Sequence, residues 1–231
     1  MTTQPHAMPV SAPIAGHRSW PAPAALLLLS AIPLIAGALR LVQLTGGPAL
    51  IPADDRFPGF PLALIVHITA ASAYAAVGAF QFVSRLRQKW PGWHRRAGRV
   101  LVAAGLAVAG SALWMTLFYA PQPGTGPTLY ALRLVFGSAM AACLVLGVTT
   151  VRRGDLAGHR AWMIRAYAIG LAAGTQAFTE GIATAMVGTG ELSGDLAKGA
   201  GWAINLAVAE WIIRRPGAGR TRRPSAARAR S

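Results

Sequence analysis

Acidic residues are scarce in this chain, whose 231 residues include 7 Asp and Glu against 22 Lys and Arg, for a formal net charge of +15. So few carboxylates leave little room for acid–base hydrolysis, and the P-loop, His-Glu-x-x-His and Gly-x-Ser-x-Gly motifs are all missing from the sequence. The single cysteine, Cys143, excludes an intramolecular disulfide and a cysteine-based metal site. The sequence therefore favours a non-enzymatic protein with no catalytic residue, no metal and no cofactor; an enzyme would need His67 with Glu180, or a bound cofactor.

Apolar residues make up 54% of the sequence and charged residues only 13%, and the mean hydropathy is +0.44. This composition suits lipid better than water. A helix needs about 20 apolar residues to cross a bilayer, and six stretches approach or exceed that length. We therefore predict an all-α bundle of about six transmembrane helices, at Ala22–Leu44, Pro61–Ser84, Val100–Tyr119, Thr128–Val151, Trp162–Val187 and Lys198–Ile213.

The positive charges alternate between the connections of this bundle. With the N terminus inside, the cytoplasmic segments hold eighteen of the 22 Lys and Arg, while the outer connections carry Asp54, Asp55, Glu191 and Asp195. This asymmetry predicts that both termini are cytoplasmic and that the protein is a multi-pass protein of the bacterial inner membrane. Because the cations lie in loops and a tail, and not along a groove, we expect no nucleic-acid partner.

The two ends of the chain differ from its middle. Residues 1–21 are rich in Pro and Ala and residues 216–231 in Arg, Ala and Gly, so we expect disordered ends around a six-helix domain at 22–215. Alternatively, the first apolar run is a signal peptide, because Ala36-Gly37-Ala38 resembles a cleavage site. The expected partners are membrane lipids, with anionic lipids against the basic loops and tail.

Several short motifs carry a family resemblance. They are His67, Gly78-Ala79-Phe80-Gln81-Phe82, Trp93-His94-Arg95-Arg96-Ala97-Gly98-Arg99, Arg153-Gly154-Asp155, His159-Arg160-Ala161-Trp162-Met163-Ile164-Arg165, Asn205 and Glu210. In this combination the chain resembles the predicted-membrane-protein family catalogued as domain of unknown function 2306, from about Leu62 to Arg215. The resemblance implies an integral membrane protein without an assigned activity. It also implies an arginine in the helix where this chain has Gln176.

Polar residues inside the predicted spans are the best functional evidence, because an ionisable group there costs about 2.5–3.5 kcal/mol on insertion scales. Helical rise places four of them at one outer depth, and a polar stripe at i, i+7 and i+14 follows the second span. One hypothesis is an outward-facing pocket for a small or lipid ligand, in which Glu180 pairs with Arg133 beside His67. The other is that Arg133 snorkels to the headgroups and the polar groups only join helices. The candidate ligand-binding residues are His67, Tyr74, Arg133, Gln176, Glu180 and Asn205.

Two further histidines, His94 and His159, stand in basic segments that we expect to form cytoplasmic turns. Since b-type haems in membrane bundles take axial imidazoles from two helices, this pair gives an alternative function, a haem b electron-transfer protein. Near the same face, Glu210 and Arg214 are spaced as an i,i+4 interfacial ion pair.

Overall fold

The computed structural model describes residues 21–52, 54, 56 and 60–215. The predicted disordered segments, 1–21 and 216–231, lie outside this range except for Pro21. All regular elements in the described part are helices: α1 Pro21–Leu44, α2 Leu62–Gln81, α3 Ser84–Lys89, α4 Pro91–Phe118, α5 Pro127–Arg152, α6 Leu156–Gly170, α7 Ala172–Val187 and α8 Glu191–Arg214.

Four of the six predicted spans are confirmed as helices long and apolar enough to cross a membrane, namely α1, α2, α4 and α5. The fifth predicted span is two helices, α6 and α7, of 15 and 16 residues. The sixth, α8, has 24 residues but contains Asp195, Lys198 and Glu210. Length and composition therefore establish four membrane-length helices in the described part of the chain.

The two His-Arg segments are helical, so the prediction that they form turns is wrong. His94 lies in the first turn of α4, which begins at Pro91, and His159 lies in the first turn of α6. Proline suits the first helical position because its missing N–H would have no helical partner there. At α6 the Asp155 carboxylate caps the helix by accepting a 2.8 Å hydrogen bond from the Gly158 N–H. The non-helical connections before α4 and α6 are therefore shorter than predicted, because the basic motifs belong to the helices.

Six helices form a closed ring around α6. In order of contact they are α1, α2, α4, α5, α8 and α7, and α7 returns to α1. Helix α6 packs against α2, α4, α5 and α8, so it occupies the centre. The buried core lies around α6, where Tyr74, Leu144 and Tyr167 pack together with Cys143. Cys143 is thus a buried packing residue of this core.

The central helix breaks at Leu171. Its backbone there has φ −85° and ψ 0°, and the Gly174 N–H bonds back to the Leu171 carbonyl at 3.1 Å. Asn205 of α8 donates a 3.0 Å hydrogen bond to the Ala168 carbonyl, one of the last four of α6. A side chain that takes a carbonyl from the helical ladder is a recognised cause of a kink. Beyond it, α7 runs at the periphery with Gly174 against the Leu29 backbone of α1.

The outside of the bundle is covered by large apolar side chains. Leu28 and Ile35 on α1, Val135 on α5 and Met186 on α7 are all more than half exposed. A water-soluble monomer rarely exposes contiguous apolar surface on this scale. The exterior therefore fits hydrocarbon as its solvent.

Candidate functional site

We call the end of the bundle with the α1–α2, α4–α5 and α7–α8 connections the outer end, and the opposite end the inner end. Because α6 stops at Gly170 and α7 moves to the ring, the centre of the outer half is left without a helix. A cavity of about 910 Å³ lies there. Its wall is mostly apolar, with Ile68, Phe136 and Met140 in the sides and Ile169 and Gly170 from the end of α6. The break in α6 thus accounts for the cavity.

Three of the six predicted ligand-binding residues line this cavity: His67, Arg133 and Gln176. Lys198, which was not predicted, lines it as well. From the starts of their helices, helical rise puts His67, Arg133 and Lys198 at depths of about 8, 9 and 10 Å. The cations therefore share one layer with the histidine below the outer helix ends.

Arg133 has no hydrogen-bond or ion-pair partner among the described residues. It is half-buried on α5 and contributes to the cavity wall. Asp195 and Glu180 lie within electrostatic range of it, but neither contacts it. A guanidinium has five N–H donors that need acceptors in a low-dielectric site. Arg133 is therefore the side chain with the greatest capacity to bind an anion in this cavity.

His67 is held by the neighbouring helix, α4. Its Nδ1 lies 3.1 Å from the Ser111 hydroxyl oxygen of α4, and that hydroxyl donates to the Ala107 carbonyl at 2.6 Å. The same hydroxyl lies 3.1 Å from the Val108 carbonyl, so two backbone acceptors compete for its one proton. This geometry favours Ser111 Oγ as the acceptor and His67 Nδ1–H as the donor. The neutral ring then has Nε2 as its acceptor. The tautomer follows from the hydrogen bonds of Ser111.

The predicted pair between Arg133 and Glu180 is wrong. Glu180 forms an ion pair with Lys198 of α8. The two residues face each other because α7 and α8 form a hairpin whose connection, residues 188–190, is equally distant from both. Arg133 is on α5, the neighbour of α8, and forms no ion pair with either residue.

The remaining predicted residues serve helix packing. The Asn205 amide accepts from the Thr175 hydroxyl at 2.7 Å, in addition to its bond to the Ala168 carbonyl. Gln176 donates to the Lys198 carbonyl at 3.0 Å while still lining the cavity. Tyr74 lies in the core, with its ring centroid 5.5 Å from that of Tyr167. Asn205, Glu180 and Tyr74 are outside the cavity wall.

The sequence predicts Asp195 in an outer connection, but in the structure Asp195 is a buried residue of α8. This carboxylate is 1% exposed, and it accepts hydrogen bonds from the backbone N–H groups of Gly126 and Leu129 at 3.0 and 2.9 Å. These N–H groups belong to the start of α5. The side chain of Asp195, on α8, therefore caps the N terminus of α5. An anion there also opposes the partial positive charge of the helix end. The cap fixes α8 to the helix that carries Arg133.

The rim of the cavity contains a second arginine, Arg56, in the α1–α2 connection. Its guanidinium binds both oxygens of Asp54, with Nε–Oδ1 and Nη2–Oδ2 distances of 2.7 and 2.6 Å. The hydrogen bonds from Arg56 hold the pKa of the Asp54 carboxyl below its usual range. The rim therefore contains a positive and a negative charge that pair with each other, whereas Arg133 has no ion-pair partner among the described residues.

The residues at the inner end belong to a different environment. His159 Nδ1 lies 2.8 Å from the Gly147 carbonyl, and neither His159 nor His94 lines the cavity. Glu210 binds Arg165 of α6 in a bidentate pair, at 2.6 and 3.1 Å, and Arg214 adds a longer contact of 3.4 Å. The predicted Glu210–Arg214 contact is confirmed, but Arg165 is the closer partner. In the described residues no three His, Cys, Asp or Glu side chains converge to hold a metal ion.

An apolar exterior, membrane-length helices and ionisable groups directed into the bundle define a multi-helix integral membrane protein. Residues 64–213 match the family model described as predicted membrane protein, domain of unknown function 2306. This chain belongs to that family. No curated protein and no solved structure matches it.

Proposed function

We propose that this protein crosses the bacterial inner membrane six times, with both termini in the cytoplasm. The break in α6 and α7 lies within one crossing, since together they are long enough for the roughly 30 Å of hydrocarbon at 1.5 Å per residue. Arginines cluster at the inner end, in α3 and the starts of α4 and α6. Positive residues of this kind mark cytoplasmic connections and offer contacts to anionic lipids there. Reporter fusions after Arg153 should be cytoplasmic, and fusions at Gly194 should be external.

We further propose that the outer cavity binds an amphipathic ligand with an anionic headgroup, and that the protein acts by binding and not by catalysis. The observation that carries this proposal is Arg133, a half-buried cation with no partner among the described residues, in a cavity wall that is mostly apolar. The cost of placing a cation at such a depth is recovered when it meets an anion. The apolar residues below it, including Phe136 and Met140, suit an acyl chain.

The size of the cavity agrees with this class of ligand. Ligand pockets have volumes of about 300–1,000 Å³, and the 910 Å³ here extends from the α4–α5 connection to the end of α6. A small inorganic anion would leave most of that apolar space unfilled. Lys198, whose charge is paired with Glu180, provides a second positive group in the same layer.

The test is lipid-dependent thermal stability of the delipidated protein in detergent. Dioctanoyl phosphatidylglycerol should raise the melting temperature, because a ligand that binds only the folded state stabilises it by mass action. Dioctanoyl phosphatidylcholine and free glycerol phosphate, which lack the net charge and the acyl chains respectively, should have little effect. Equal shifts with the two lipids would contradict an anionic headgroup, and an equal shift with glycerol phosphate would contradict an amphiphile.

Arg133→Gln should abolish the shift with phosphatidylglycerol. Arg40→Gln is the matched control, because Arg40 is an outer-end cation that bonds to Gln43 and the Pro52 carbonyl, outside the cavity wall. A normal lipid response in Arg133→Gln would overturn the proposed site.

A further inference from the structure

The cavity has a second specific group on the side opposite Lys198. His67 of α2 lines the wall at nearly the depth of Arg133, and the two lie within electrostatic range. Both residues thus reach a headgroup that occupies the outer half of the cavity. Any ligand bound by Arg133 would have His67 beside it.

The hydrogen bonds of Ser111 determine what His67 offers. With its proton donated to the Ala107 carbonyl, the Ser111 oxygen is left to accept a hydrogen bond from the Nδ1–H of His67. Nε2 is then the ring nitrogen that remains for the cavity, and in the neutral ring it is an acceptor. The cavity therefore presents donors from Arg133 and an acceptor from His67. A simple anion such as a carboxylate or a phosphodiester has only acceptors, so it would leave Nε2 without a partner.

We propose that the ligand headgroup carries a hydroxyl group in addition to its anionic oxygen, and that His67 selects for this hydroxyl by accepting its hydrogen bond. Ser111 acts as a positioning residue that fixes the tautomer. This inference rests on the proposed function, since it concerns the ligand of the same cavity. It names the class as hydroxylated anionic amphiphiles, of which a phosphodiester lipid with a polyol headgroup is one example.

The experiment compares two lipids that have the same charge. Dioctanoyl phosphatidylglycerol carries headgroup hydroxyls, while dioctanoyl phosphatidylmethanol has a methyl group in their place. One additional hydrogen bond should make phosphatidylglycerol bind about fivefold more tightly to the wild-type protein. In His67→Phe this preference should disappear, with binding of phosphatidylmethanol retained. In His67→Gln, where the amide oxygen can accept in the place of Nε2, part of the preference should return.

Ser111→Ala provides a second variant that leaves His67 in place. Without Ser111 the ring loses one of its two hydrogen-bond partners, the other being the Val108 backbone. The tautomer is then less strongly fixed, so the preference for phosphatidylglycerol should decrease. Thr69→Val is its control, because the Thr69 hydroxyl bonds to the Ile65 and Val66 carbonyls of its own helix and Thr69 lies outside the cavity wall.

The outcomes distinguish the two proposals. If neither anionic lipid binds, the proposed function fails. If both bind equally well to the wild-type protein, or if His67→Phe keeps the preference, the anionic site stands and the role of His67 is wrong.

Discussion

The carboxylate of Asp195 accepts a 2.9 Å hydrogen bond from the backbone N–H of Leu129, 66 residues earlier in the chain. Asp195→Ala leaves two buried N–H groups at the start of α5 without a partner. Hydrogen bonds to charged groups contribute about 1.5–3 kcal/mol each, so we expect a loss of about 3 kcal/mol in the free energy of unfolding, measured in mixed micelles. Glu191→Gln, at an exposed position one turn earlier, should change it by less than about 0.5 kcal/mol. Equal effects would contradict the cap.

The ion pair of Lys198 and Glu180 predicts a specific coupling. Contacting charged residues show coupling energies of about 0.5–3 kcal/mol in double-mutant cycles. A cycle of Lys198→Met and Glu180→Gln should give a value in this range for thermal stability. The corresponding cycle of Arg133→Gln and Glu180→Gln should be additive within about 0.5 kcal/mol. Coupling in the second cycle and none in the first would restore the pair expected from the sequence.

Substitution of Asn205 tests whether this residue joins helices at the break in α6 or binds ligand. Interhelical hydrogen bonds in membrane proteins average about 0.6 kcal/mol, so Asn205→Leu, which removes two, should cost about 1 kcal/mol. Thr175→Val removes only one of them and should cost about half as much. If Asn205 instead binds ligand, Asn205→Leu would reduce the lipid response as strongly as Arg133→Gln does, with unchanged stability.

The sequence predicts the helices well but not their orientation about their own axes. Apolar membrane helices have no strong polar face, so nothing in α5 indicated that Arg133 would form no ion pair with Glu180. The pairing of Glu180 with Lys198 was nevertheless predictable, since both lie nine residues from the middle of a short connection. The equal distance of the two residues from the α7–α8 connection was the signal that indicates this pair.

The break at Leu171 and the cap by Asp195 could not be derived from local sequence. The run from Trp162 to Val187 contains no proline and no charged residue near Leu171. The side chain that bonds to the Ala168 carbonyl comes from Asn205, 37 residues later. Asp195 likewise acts on a helix far from it in sequence. Long-range hydrogen bonds decide both features, and they create and frame the cavity.

The alternative haem function makes a distinct spectroscopic prediction. If the protein binds lipid and no haem, the detergent-purified protein should show no Soret band in its visible spectrum, even after expression with added haem precursor. A Soret band with reducible α and β bands, lost in both His94→Ala and His159→Ala, would support a bis-imidazole haem instead. Loss in only one of the variants would indicate a different second ligand.

The most direct test of the central claim is native mass spectrometry of the protein released from mild detergent. We predict that the wild-type protein and Arg40→Gln retain one copy of an anionic lipid, and that Arg133→Gln is lipid-free under the same conditions. Retention of the same lipid at the same occupancy by Arg133→Gln would contradict the claim that Arg133 binds the headgroup in the outer cavity.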